Sequence, residues 1–352
     1  MRRFHLFHGR WTRLSVLSVA AGAMATVASM AAPSFAGTIT FGSGGNTINM
    51  EFVTIGNPNN TADTTGTPNP AGRVTYTYDI GKFEVSRDMI TKFNASQSLQ
   101  ISLEDMTSFG GNGANKPATG ISWNEAAHFV NWLNTSTGNQ AAYKFAPGSG
   151  ANDNISLWTS GDAGYDVNNK YRNSLAKYFL PSYNEWYKAA YYNPTNSTYY
   201  DYANGSNTAP SAVASGNLND TAVYRQSFGQ GPADVNLAGG LSPYGVMGLG
   251  GNVYEWEESS GDLANSSGSS SRGYRGGFWD SFFSSNLSSS SRFVNVPSGE
   301  VNVIGFRVAS LSSSAPPPPP PPPPPAVPEP STLVIGTLFG LGGLLAKRRM
   351  KR

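Results

Sequence analysis

Gly250-Gly-Asn-Val-Tyr-Glu-Trp256 is the stretch on which the reading of the fold turns. Glycines adopt positive φ and allow close backbone approach, so Gly250 and Gly251 predict a tight turn that feeds a strand. Along that strand Tyr254 and Trp256 alternate with Val253 and Glu255, and one pair should face inward. Downstream, Arg275-Gly-Gly-Phe278 and Gly305-Phe-Arg-Val308 place two further strands at Gly273 to Phe278 and Gly305 to Ala309, with Ser284 to Ser291 looping out between them. Each carries one arginine, whose planar fork suits a buried carboxylate. Gly276 and Gly277 let a neighbouring strand pass close.

Upstream, Ser122-Trp-Asn-Glu125 and Ser182-Tyr-Asn-Glu185 both match the Ser-x-x-Glu capping box. In that motif the hydroxyl takes an orphan helix amide and the carboxylate reaches back to the cap. Helix caps, not acid catalysts, are the reading of these two glutamates. Trp123, Ala126, Ala127, Val130 and Leu133 then line one side of the first helix, and Trp186, Ala189 and Ala190 one side of the second. Earlier still, Met50 to Gly56 and Val74 to Tyr78 read as strands, the latter continued by Lys82-Phe-Glu-Val85. Ser86 caps a short helix to about Ser96. Thr38 to Met50 reads as an exposed, glycine-rich lead-in.

Five segments in order carry a family resemblance. They are Ile80-Gly-Lys-Phe-Glu-Val85, Pro117-Ala-Thr-Gly-Ile-Ser-Trp-Asn-Glu-Ala126, Leu180-Pro-Ser-Tyr-Asn-Glu-Trp186, the Gly250–Trp256 stretch, and the closing pair of arginine strands. Together they resemble the formylglycine-generating, or sulfatase-modifying factor, family from about Glu51 to Ser310. The resemblance implies an α+β, loop-rich, C-type lectin-like fold.

The family's chemistry does not carry over with the scaffold. The resemblance puts the copper-binding cysteines of the oxidising enzymes at Ser281 and Asn286, neither a good ligand for a soft cuprous ion. The chain has no cysteine, so every thiol mechanism is absent. His5 and His8 fall in the N-terminal leader, and His128 alone remains in the body. The iron-binding histidines of the family's sulfoxide synthases are missing with the helical domain that bears them. Calcium is the one cofactor the resemblance leaves open, through carbonyls of Gly251 and Val253 and the Glu255 carboxylate, oxygen ligands that suit it. Gly248 stands where that site's upstream Asn or Asp belongs. Trp279, Asp280, Phe282 and Asn286 are the expected ligand contacts, because they occupy the place of the family's active site.

Both chain ends read as export signals. Arg2, Arg3, Arg10 and Arg13 precede an apolar run from Leu14 to Ala32 and a Ser34-Phe35-Ala36 cleavage site, the layout of a secretory signal peptide over residues 1–36. Residues 37–311 form the expected domain. Residues 312–326 hold a ten-proline run, Pro316 to Pro325, which favours a stiff polyproline spacer. In residues 327–352, Pro328-Glu-Pro330 precedes an uncharged stretch, Thr332 to Ala346, and a basic end. As a helix that stretch is about 22 Å long, and the cations hold its far side in the cytoplasm. This tail resembles the PEP-CTERM sorting signal of exopolysaccharide-producing, Gram-negative bacteria. The resemblance implies Pro328, Glu329 and Pro330 as the motif read by an exosortase-type transpeptidase. It also implies transient anchoring in the inner membrane and a final place at the cell surface or in the extracellular matrix.

Without leader and tail, 15 basic side chains face 21 acidic ones. A mildly acidic body argues against nucleic acid as a partner. The expectation is an exported, non-catalytic binding or matrix protein, with extracellular polysaccharide as its partner. The alternative is an enzyme of the same family with an unrecognised, non-cysteine activity.

Overall fold

The computed structural model describes residues 35–312. The leader up to residue 34, the proline spacer and the sorting tail lie outside the described residues. Among those described, no helix is long and apolar enough to cross a membrane.

The lead-in is a hairpin. β1 (Phe35–Phe41) pairs antiparallel with β2 (Ile48–Ile55). The glycines from Gly42 to Gly45 form its tip, and Phe41, Ile48 and Met50 are buried. The expectation of an exposed segment fails because apolar residues alternate on either side of the tip. Phe41 meets Tyr178 edge-on at 4.9 Å. β2 then pairs with β3 (Tyr78–Gly81). The strand expected from Val74 begins only at Tyr78, since Val74 N–H is taken by the Asn60 carboxamide at 3.1 Å.

Three helices follow the caps. α1 (Arg87–Ser96) starts at Ser86, whose hydroxyl accepts from Met89 N–H. α2 (Trp123–Thr135) and α3 (Tyr183–Tyr191) both carry the complete reciprocal box. The five residues assigned to the inner side of α2 are all fully buried, as are Trp186, Ala189 and Ala190 of α3. Between them runs β4 (Tyr178–Phe179), and after α3 come two small ribbons, β5 (Tyr192–Asn193) with β6 (Thr198–Tyr199), and β7 (Ser211–Ala212) with β8 (Thr221–Ala222).

The last third builds a second sheet. β9 (Tyr254–Ser260), β10 (Arg272–Arg275), β11 (Phe293–Asn295) and β12 (Ile304–Gly305) run in the order β11-β10-β9-β12. β13 (Ala309–Leu311) returns to the first sheet, whose order is β1-β2-β3-β13-β4. The single strand expected from Gly305 to Ala309 is therefore two short ones in different sheets. Phe306, Arg307 and Val308 cross between them, fully buried. Both ends of the domain thus lie in one sheet, and one apolar core joins that sheet, the helices and β9.

Candidate functional site

The Gly250–Trp256 stretch behaves as a turn and a strand, with one departure. Gly251 has φ +100°, and a Cβ there would fall 2.4 Å from the Val223 carbonyl oxygen, so only glycine fits. Asn252 follows at φ +62°, its amide donating to Glu84 Oε1 at 2.9 Å and its oxygen accepting from Ala233 N–H at 2.8 Å. The departure is that all seven residues of β9 are buried. Alternation therefore separates two kinds of interior rather than inside from outside.

Three acids of β9 are each neutralised. Glu255 takes Arg307 on both oxygens, Nε at 2.6 Å and Nη2 at 2.5 Å, and Trp186 Nε1 at 2.7 Å. Glu257 pairs with Arg275 at 2.9 Å and Arg292 at 2.8 Å. Glu258 accepts from Arg172, Tyr143 and Asn169. Buried charges persist only when paired and hydrogen-bonded in this way. The fork foreseen for Arg307 is present; Arg275 instead meets Glu257 through Nε alone and turns Nη2 to the carbonyls of Thr67 and Ser291, and both arginines are buried framework.

That geometry does not suit the calcium set. The Glu255 carboxylate is spent on Arg307 and Trp186, and a dication beside a guanidinium is repelled. The place of the missing upstream ligand is also filled: a Cβ on Gly248 would fall 2.5 Å from Glu84 Oε1. Gly251, Val253 and Glu255 therefore do not make a calcium cage with the residues present, and among the described residues no three His, Cys, Asp or Glu side chains gather as a metal site.

The loop after Arg275 corrects the expected ligand contacts. Trp279 is fully buried, packed with Met106, Val223, Ala233 and Val253, and its backbone is held by Asn252 and Gln226. An indole beside Gly277 and Asp280 looked like a surface group in sequence; the interior claims it because Val253 and Val223 offer it apolar contact. Ser281 is buried too, its hydroxyl accepting from Phe278 N–H at 3.0 Å. Among the described residues no imidazole serves it, because His128 stacks on Phe145 at 3.7 Å on α2. Asp280 and Asn286 are half-buried. Phe282 is 72% exposed, and its neighbour Phe283, which sequence reasoning missed, is 63% exposed. The two rings meet edge-on at 5.0 Å.

A sizeable cavity lies elsewhere, and nothing in the sequence reading foresaw it. It holds about 470 Å³ between the start of α3, the end of β9 and the segment before β4, within the usual range for small-ligand sites. Tyr76, Tyr183, Asn168, Asn184, Asn265 and Arg172 line it, with Asp166 at its edge. Arg172 forms its floor. The guanidinium lies 3.6 Å over the Phe179 ring, between Glu185 and Glu258. Burial acts to raise the Glu185 carboxyl, but Arg172 outweighs it and holds the group below its ordinary range. Its legible trace was the amide-dense run Asp166-Val-Asn-Asn169.

Residues 36–311 match the family model described as the sulfatase-modifying factor enzyme 1-like domain. Among solved structures, Treponema denticola variable protein 1 is 18% identical, covers 78% of this chain and 98% of its own, and superposes with a TM-score of 0.52. CarF is 20% identical, with 74% and 98% coverage and a TM-score of 0.50. These likenesses carry the fold alone. No curated protein sequence matches.

Proposed function

The chain belongs to the sulfatase-modifying factor enzyme 1-like family, and from that membership we propose that it is an exported, non-catalytic binding protein of the cell surface or extracellular matrix. The observation that carries this reading is the closed loop at the family's reactive position. Ser281 is committed to a backbone amide and Trp279 is sealed into the core, so neither side chain is open to a substrate there. The partner of best chemical fit is extracellular polysaccharide, because tyrosine faces and carboxamides suit sugar rings and hydroxyls. Export and sorting rest on the leader and on the Pro328-Glu329-Pro330 tail, which fit transient anchoring in the inner membrane and exosortase-type processing.

The test uses the full-length chain in detergent. Incubated with copper, oxygen and a cysteine peptide, it should form no aldehyde. Applied to an array of neutral and acidic polysaccharides, it should be retained saturably by at least one. Turnover of the thiol, or stoichiometric copper or iron in the purified protein, would establish the enzyme instead. Absence of any retained polysaccharide would remove the binding function.

A further inference from the structure

The 470 Å³ cleft is lined by aromatic rings, carboxamides and two charged side chains. Its one lining cation among the described residues is already engaged by carboxylates. Arg172 directs Nε and Nη2 to Glu258 at 2.8 and 2.7 Å, and Nη1 and Nη2 to Glu185 at 3.1 and 2.8 Å. Tyr76 gives its hydroxyl proton to Glu185 at 2.6 Å and so offers its ring and an acceptor oxygen, not a donor. One guanidinium in the lining is thus shared by two carboxylates buried beneath it, Glu185 and Glu258, and Asp166 adds an acid in the lining itself.

The groups left over match hydroxyls. Asp166 Oδ1 accepts from Asn168 N–H at 2.9 Å, while Oδ2 bonds nothing among the described residues. Asn184 spends its oxygen on Gly72 N–H at 2.7 Å and keeps its NH2 unspent among the described residues. The Tyr183 hydroxyl has no partner among them either, and its ring lines the cleft. An acceptor, a donor, a group that is both, and aromatic faces for C–H surfaces form a polyol-binding set.

We propose that this cleft, and not the loop after Arg275, binds the saccharide, as a hydroxyl-rich segment that is uncharged or carries amines rather than carboxylates. This deepens the binding function and rests on it. Uronates are excluded by the carboxylate excess, which water screens only in part at the cleft floor.

Titration calorimetry of the full-length chain in detergent tests it with three probes: maltohexaose, a glucosamine hexamer and a galacturonate hexamer. The uncharged or the amine-bearing probe should bind saturably, and galacturonate about tenfold more weakly or not at all. Tyr183→Ala should weaken the preferred probe about tenfold, and Asn184→Ala should weaken it independently. Asp166→Asn keeps the Asn168 contacts and should improve galacturonate about fivefold, a gain that no loss of folding would produce. Phe282→Ala should change nothing. Equal affinity for galacturonate, or binding untouched by both Tyr183→Ala and Asn184→Ala, overturns the cleft assignment. So does failure of all three probes. If the chain still retains a polysaccharide in either case, the binding function survives and only its location falls; if nothing is retained, both fall.

Discussion

Glu84 offers the sharpest physical test. It sits between β3 and α1, fully buried, with Oε1 accepting from Asn252 and Oε2 without a partner among the described residues. Arg307 attracts it but is already engaged by Glu255 and by the carbonyls of Gly81 and Met247. Burial first, and then repulsion from Glu255, push the Glu84 carboxyl from 4.5 to about 7. Below pH 4.5 both folded and unfolded chains hold the proton. Between 4.5 and about 7 the unfolded chain releases it first, so folding loses stability as pH rises; above 7 the loss is complete. At 1.36 kcal/mol per pH unit the loss is about 3 kcal/mol. Glu84→Gln keeps the acceptor for Asn252 and cannot ionise. Urea unfolding at pH 4.5 and pH 8 should therefore show the variant gaining about 3 kcal/mol on the natural chain between the two conditions. An equal difference at both pH values would refute the account of a buried, under-satisfied carboxyl.

Three further outcomes follow from packing and pairing. Glu255→Gln strands Arg307 in the interior and should cost about 3–5 kcal/mol in chemical unfolding; a loss below 1 kcal/mol would mean the pair is exposed to water. Ser182→Ala removes the hydroxyl of the α3 box and should cost about 1 kcal/mol, visible as a lowered urea midpoint. Trp279→Ala should cost about 3–5 kcal/mol, whereas Phe282→Ala should stay within about 0.5 kcal/mol. Reversal of that last order would restore Trp279 to the surface.

Local chemistry made the helices legible. A Ser-x-x-Glu box followed by apolar residues at helical spacing needs no distant contact to be recognised, and α2 and α3 begin where Ser122 and Ser182 say. The strands were harder. Val74 to Thr77 alternates like a strand, yet Val74 gives its hydrogen bonds to Asn60 and the loop around it. Gly305 to Ala309 looks continuous but is shared between two sheets. The site was least legible, because placement after Arg275 located the loop yet not which side chains point outward: Trp279 turned in, and Phe283 turned out.

The chain's own residues settled the absence of cysteine, the solitary body histidine, the caps, the order of the five motifs and hence the family. These depend only on which groups exist and how they are spaced. Which carboxylate meets which arginine was decided in three dimensions, as was the burial of β9 on both faces. The cleft arose the same way, from Tyr76, Asp166, Tyr183 and Asn265, residues far apart in sequence. Burial and pairing are set by long-range contacts, and no local pattern encodes the partner that a folded chain brings alongside.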